Sequence, residues 1–304
     1  MAFQKDMIND VDQNTVEGPQ GAQYPIVQWH YPEPKMAKSG GLEGHGGWFI
    51  SRENIPAELA DELPAALLAN GFSEDEMTLD NGNVIEGFYA RDLSMALINN
   101  RKRWMADDDG RRVYGPWAWK TYETLVAEYG RAISQENFYV ALKGLVEFGP
   151  FVVTVKGVSA MALAGTKKVP GVIPQFDATV IKAANDITKG KRWPRRAFWL
   201  TIGASRDKNG KPVYTEFGSG NSTSHLCLPM AVGLPKDAAD VDLDEFAVER
   251  ADFLKIQEMY DDSIDWASEW DDIEIGGDDD AAAKNEQPEM TADEVAEAAA
   301  EAGM

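Results

Sequence analysis

Three short stretches of this chain set cations beside flat rings. RKRWM supplies Arg101, Lys102, Arg103 and Trp104. RRVYGPWAWK supplies Arg111, Arg112, Tyr114, Trp117, Trp119 and Lys120, and KGKRWPRRAFW supplies Lys189, Lys191, Arg192, Trp193, Arg195, Arg196, Phe198 and Trp199. Five of the nine tryptophans fall between 104 and 199, beside these clusters, and Lys167 and Lys168 in GTKKVPG extend the basic track. The chemistry such residues do is non-covalent. Ammonium and guanidinium groups pair with phosphates, and unpaired bases stack on aromatic faces. Arginine serves both purposes, because its plane stacks while its edge grips an anion. A plainer reading stands beside this one for each stretch. Basic turns keep hairpins solvated, and strand alternation in RRAFWLTIG places Phe198 and Trp199 on opposite faces, so at least one of them belongs to a core.

Residues for covalent or metal chemistry are sparse. The chain has no GxxxxGK[ST] run, and GGLEGHGG and GSGNSTS lack the strand-then-helix flanks of a dinucleotide loop. His30, His45 and His225 are far apart, and Cys227 stands alone, so no zinc set suggests itself. Asp107, Asp108 and Asp109 precede Gly110 and read more readily as a solvated turn than as a cation loop. Ser224 and His225 are adjacent, which in a strand points them to opposite faces and argues against a nucleophile–base pair. No residue nominates a catalytic role, and no cofactor is implied.

The charge is divided along the chain. The formal net charge of −22 comes almost wholly from residues 237–304, which hold 24 acids against three bases. Residues 1–236 hold 27 acids against 26 bases, and within them residues 151–212 hold 12 bases against three acids. A nearly neutral body thus carries one basic region and a separate acidic tail. The single cysteine excludes an internal disulfide and fits a reducing, cytoplasmic setting, with Cys227 a small buried hydrophobe. No leader segment or membrane span is legible.

Hydrophobic spacing divides the chain into a mobile N-terminal arm (1–24), a core (25–235), an acidic amphipathic helix packed on that core (236–270) and a disordered acidic tail (271–304). GGWFISRE, VIEGFYA, LSMALI, PFVVTVKG, RAFWLTIGA and TSHLCLPMAV read as strands. PAELADELPAALLANGF, WKTYETLVAEYGRA, ENFYVALKGLVEF, VSAMALAG and DATVIKAANDI read as helices, with Pro64 a possible break in the first. Asp80-Asn81-Gly82 and RDKNGKPVY are turns. Regular β–α alternation is absent, which argues against a doubly wound sheet and for a β-rich α+β fold with a curved or barrel-like sheet.

A basic, aromatic core joined to an acidic C-terminal tail resembles, in layout, the single-stranded DNA-binding proteins of bacteria, phages and mobile elements. The runs GGWFI, EGFYARDLSMALINNRKRW and GPFVVTVKG also loosely resemble an uncharacterised family of phage and mobile-element proteins. The resemblance implies an OB-like, Greek-key core and a non-catalytic role in replication or recombination. It also implies single-stranded DNA (or RNA) as ligand, a possible homo-oligomer, and a bacterial host cytoplasm if the chain is phage-encoded. The candidate contact residues are Arg101, Lys102, Arg103, Trp104, Arg111, Arg112, Trp117, Trp119, Lys167, Lys168, Lys189, Lys191, Arg192, Trp193, Arg195 and Arg196. WDDIEI, with Trp270, Asp271, Asp272 and Ile273, is the candidate docking element for replication or recombination proteins. Two other readings stay open: an acidic protein-binding module or DNA mimic that occupies a host nucleic-acid enzyme, and a metal-dependent nuclease.

Overall fold

A computed structural model describes residues 23–30, 35–36, 42–43, 46–78, 84–108, 111–165, 170–189, 192–217, 224–270 and 275. The N-terminal arm up to residue 22, Asp80-Asn81-Gly82, Lys167, Lys168, Lys191, Asp271, Asp272, Ile273 and the tail from 276 lie outside the described residues. Fourteen strands are present among those described. They are β1 (Ile26–His30), β2 (Lys35–Met36), β3 (Leu42–Glu43), β4 (Gly47–Ser51), β5 (Ser73–Thr78), β6 (Val84–Ala90) and β7 (Asp92–Asp108). The chain continues with β8 (Arg111–Pro116), β9 (Ile133–Leu142), β10 (Phe151–Lys156), β11 (Leu200–Ala204), β12 (Thr215–Phe217), β13 (Ser224–Leu226) and β14 (Pro229–Ala231).

Nine of them form a strongly curled, half-barrel sheet in the order β14-β11-β7-β9-β10-β1-β4-β6-β5, and β8 pairs with the far half of β7. Most neighbours are antiparallel, while β1 and β10 are parallel. The fold is therefore mixed α+β around a β-rich core. Two further pairs, β2–β3 and β12–β13, are separate two-stranded ribbons.

The curl follows from where the large side chains point. Val27, Trp48, Phe88, Met95, Leu97, Phe138, Val140, Val153, Leu200 and Ile202 come from seven strands yet share one core, so they line the inside of the sheet. The Trp48 indole N–H on β4 donates to the carbonyl of Ile202 on β11 at 2.8 Å. Those two strands are separated by four others in the sheet order, so this bond spans the interior of the curl. Trp29 stands edge-on to Trp48 and donates to the carbonyl of Cys227 at 3.1 Å. Cys227 is itself buried in that core. The helix Gly157–Ala164, with Val172–Phe176, the π-helical turn Asp177–Ile181 and Lys182–Ile187, closes the inside.

Elsewhere the elements depart from the sequence reading in instructive ways. The stretch 136–148, expected to be helical, is strand β9 followed by a 3-10 turn. β9 is central and buried on both faces, so it shows no alternation, and short apolar runs of this kind do not separate helix from strand. The expected helix over 56–72 begins as a 3-10 turn and becomes α-helical at Leu63–Ala69, with Pro64 in its first turn, where proline fits. TSHLCLPMAV is split between β13 and the sheet-edge strand β14. Both Phe198 and Trp199 are buried, on opposite faces of the sheet.

The outer face receives the helix Arg250–Ser268. Its buried residues Ile256, Met259, Ser263 and Trp266 recur at helical spacing and form one stripe. That stripe packs on Ala96, Ile98, Tyr139, Ala141, Val152 and Trp199. The helix is tethered at its approach, where the Trp199 amide donates to the carbonyl of Phe246 at 2.7 Å and Phe198 bridges Ala247. Replacing Trp48 by Phe keeps a ring but removes the indole donor to the Ile202 carbonyl. It is expected to lower unfolding free energy by about 2 kcal/mol, read from urea midpoints.

Candidate nucleic-acid interface

β7 is 17 residues long and changes its allegiance midway. Its first half pairs with β9 through Met95↔Leu142 and Leu97↔Val140, and after a bulge the register resumes at Asn99↔Tyr139. The extra residue reverses which positions face outward. Met95 and Leu97 point inside, but Asn99, Arg101 and Arg103 lie on the outer face with Tyr139. Three rows then cross β7, β9 and β10: Asn99–Tyr139–Val152, Arg101–Asn137–Thr154 and Arg103–Gln135–Lys156. Along each strand the outer face therefore passes from apolar to polar and cationic.

The C-terminal helix runs along this gradient. Asn99 donates Nδ2 to the Ser263 carbonyl at 3.2 Å. Arg101 donates Nη1 to the Trp266 carbonyl at 2.7 Å and to Glu269 Oε2 at 2.6 Å. Its guanidinium carbon lies 4.1 Å from the Trp266 ring centre and 4.4 Å from that of Trp270. Arg103 sits between Trp270 at 4.2 Å and Tyr114 at 3.5 Å, and its Nε donates to Gln135 Oε1 at 3.2 Å. Two arginines are thus held between aromatic planes, with a carboxylate on the first. Beneath them, Arg101 Nε, Asn137 Nδ2 and Thr154 Oγ1 are buried without hydrogen-bond partners, and all three belong to one cross-strand row.

The remaining candidates divide among three settings. Trp104 is buried, stacked on Trp117 with centroids 4.2 Å apart, and packs with Tyr122 and Leu125 of the helix Trp119–Tyr129. In this conformation its ring presents no face to a ligand. Strand β8 ends at Pro116 and Trp119 opens that helix, so Trp117 is half-buried while Trp119 is exposed. Gly115 is needed for the approach of this layer, since a Cβ there would collide with Thr121 and press on Ile275 at 3.0 Å. Arg111 and Arg112 lie on β8; Arg112 is half-buried, and the Arg111 side chain lies outside the described residues. In the KGKRWPRRAFW segment, Lys189, Arg192 and Trp193 are exposed, and Trp193 donates its ring N–H to Thr188 Oγ1 at 3.2 Å. Arg195 forms a forked pair with Asp177, and Arg196 reaches Gln257 Oε1 while covering the Tyr260 ring at 3.9 Å. Those two arginines fasten the segment to neighbouring elements.

Lys102 projects to the inner face, where its Nζ lies 3.4 Å from Glu136 Oε1. Asn100 donates to the same oxygen at 2.9 Å. Burial pushes the Glu136 carboxyl up, against the attraction of Lys102. Among the described residues, no three His, Cys, Asp or Glu side chains gather as a metal site, and no helix is long and apolar enough to cross a membrane. Asn137, Gln135, Thr154 and Lys156 were missed by sequence reasoning. The available signal was the run Ser134-Gln135-Glu136-Asn137 inside a β-rich segment, which a helical reading of that stretch concealed.

No protein-family model, curated protein or solved structure matches the chain.

Glu136 carries a pH consequence. A carboxyl with a raised value in the folded chain keeps its proton where the unfolded chain has lost it. It therefore costs nothing below the unfolded value and weakens the fold as pH rises through the raised one. Glu136→Gln is expected to raise the urea midpoint at pH 7 and to lose that advantage near pH 4. Parallel pH profiles for the two proteins would contradict the assignment.

Proposed function

We propose that this chain is a non-catalytic single-stranded DNA-binding protein, of the kind that serves phage or mobile-element replication and recombination. One observation carries the reading: the outer face of β7–β9–β10 turns from apolar to cationic under the end of the C-terminal helix. A helix dock held by burial alone would be apolar throughout. Here the last contacts are instead arginine–aromatic stacks and a carboxylate over orphaned polar atoms, the groups that bases and phosphates would engage. Arg101, Arg103, Arg112, Tyr114 and Lys156 form the proposed contact surface, and exposed Trp119, Lys120, Arg192 and Trp193 offer peripheral contacts.

The OB-like character of the core belongs to the same proposal, supported by the strongly curled, β-rich sheet. The acidic region after residue 236 lowers occupancy of that surface by charge competition and recruits replication or recombination factors through residues such as Trp270, Asp271, Asp272 and Ile273. Cooperative self-association along a strand is part of the proposal.

Fluorescence anisotropy with single- and double-stranded oligonucleotides tests it. The full chain is expected to bind single strands with salt-sensitive affinity, and a chain ending at residue 275 to bind more tightly at low salt. Arg103→Ala should weaken binding about tenfold, the ~1.5 kcal/mol of one charge-assisted contact. No binding by either chain at low salt sinks the reading.

A further inference from the structure

The helix Arg250–Ser268 is fastened by its apolar stripe as far as Trp266, which packs in one cluster with Tyr139 and Trp199. The two residues that follow its last turn make contacts of another kind. Trp270 is buried, yet its ring packs on guanidinium groups rather than in one of the apolar clusters. The ring centre lies 4.4 Å from the guanidinium carbon of Arg101 and 4.2 Å from that of Arg103. The Glu269 side chain is 60% exposed, but its Oε2 accepts from Nη1 of Arg101, whose side chain is only 3% exposed. Neighbours in sequence thus bring a flat ring and an anionic oxygen to adjoining arginines, the oxygen from the solvent side.

A nucleotide carries the same two groups, a planar base and a phosphate. An indole and a base offer a guanidinium the same π face, and a carboxylate and a phosphate offer it the same charge-assisted bond. We infer that the place held by Trp270 and Glu269 is a nucleotide slot on Arg101 and Arg103, which these two residues fill until a base and a phosphate displace them. The shared ligand chemistry is a base joined to a phosphate, from a single strand or from a free mononucleotide. The slot rests on the single-strand reading and gives that reading the position of one nucleotide.

Displacement is required because Arg101 and Arg103 are both buried, so a strand reaches their faces only by taking the place of Trp270. It leaves the slot intact. Arg101 still packs on Trp266, which the apolar stripe holds, and Arg103 still packs on Tyr114 and donates to Gln135. Both guanidinium groups therefore keep their orientation. Glu269 supplies Arg101 with one oxygen, and the neighbouring donors Arg101 Nε and Asn137 Nδ2 have none. A phosphate brings more acceptor oxygens to that position than one carboxylate contact does. Because Trp270 and Glu269 are tethered to the helix end, they compete at high effective concentration, and the affinity for a strand falls by the fraction of time the slot stands open.

The test uses the full-length protein labelled with fluorotryptophan for fluorine NMR, with the Trp270 signal assigned by its loss in Trp270→Phe. One probe is oligo(dT) and the other is adenosine monophosphate. Either is expected to move the Trp270 signal to a solvent-exposed position, read from its solvent-isotope shift. Trp270→Ala should bind oligo(dT) about tenfold more tightly, as for a slot that stands open about a tenth of the time in the parent. Glu269→Gln leaves Arg101 without its carboxylate, so the plot of log affinity against log salt should steepen by about 0.7, one phosphate's share on a single strand. A residue that only holds the fold would produce neither gain. A Trp270 signal that stays buried in the saturated oligo(dT) complex, or variants that both bind more weakly than the parent, overturns the slot and leaves the single-strand reading standing. Adenosine monophosphate moving Trp270 while oligo(dT) binds neither the full chain nor Trp270→Ala keeps the slot and refutes that reading. Failure of both probes to move Trp270 or to bind Trp270→Ala overturns both.

Discussion

A single extra residue in β7 organises the surface of this protein. Between Leu97 and Asn99 the strand slips against β9, and every later side chain changes face. Without that bulge, Arg101 and Arg103 would follow Met95 and Leu97 into the apolar interior of the curled sheet, and Lys102 and Trp104 would point outward. With it, two arginines lie on the outer face, while Trp104 turns to the opposite face and packs in a separate cluster with the helix Trp119–Tyr129. The same strand thereby supplies both an apolar bed for the C-terminal helix and the cationic ground beyond it.

The energetics of the two halves differ. Ile256, Met259 and Trp266 fix the helix to the sheet by burial, a non-directional contribution that grows with apolar area. Further along, each buried polar atom left without a partner costs about 1–3 kcal/mol. Arg101 Nε, Asn137 Nδ2 and Thr154 Oγ1 lie in one row, so three such costs meet where the helix ends. Cation–π contacts from Trp266 and Trp270 and the Glu269 carboxylate offset part of it. The polar half of the dock is thus set apart from the apolar half by its unpaired polar atoms.

The sequence displayed the ingredients of this arrangement but not their placement. Alternation in VIEGFYA and LSMALI and the β-branched run of PFVVTVKG revealed real strands, and spacing in the acidic region revealed the helix at Arg250–Ser268. The division of charge between body and C-terminal region was visible at once. A bulge, by contrast, leaves no mark on composition, so RKRWM read as one basic patch although its side chains go alternately to two faces. Arg195 and Arg196 looked like binding groups, and only tertiary contacts reveal their ties to Asp177, Gln257 and Tyr260. The row through Asn137 and Thr154 depends on pairing between distant strands, which no local pattern encodes.

The central claim is that the cationic half of the outer face meets a nucleic-acid strand. Photo-crosslinking of bromodeoxyuridine-substituted single strands to the full chain, with mass-spectrometric mapping, addresses it most directly. The account predicts adducts on Tyr114 of β8 and on Trp266 or Trp270 at the end of the C-terminal helix. Adducts confined to residues remote from this face, such as those of β5 and β6, would contradict it.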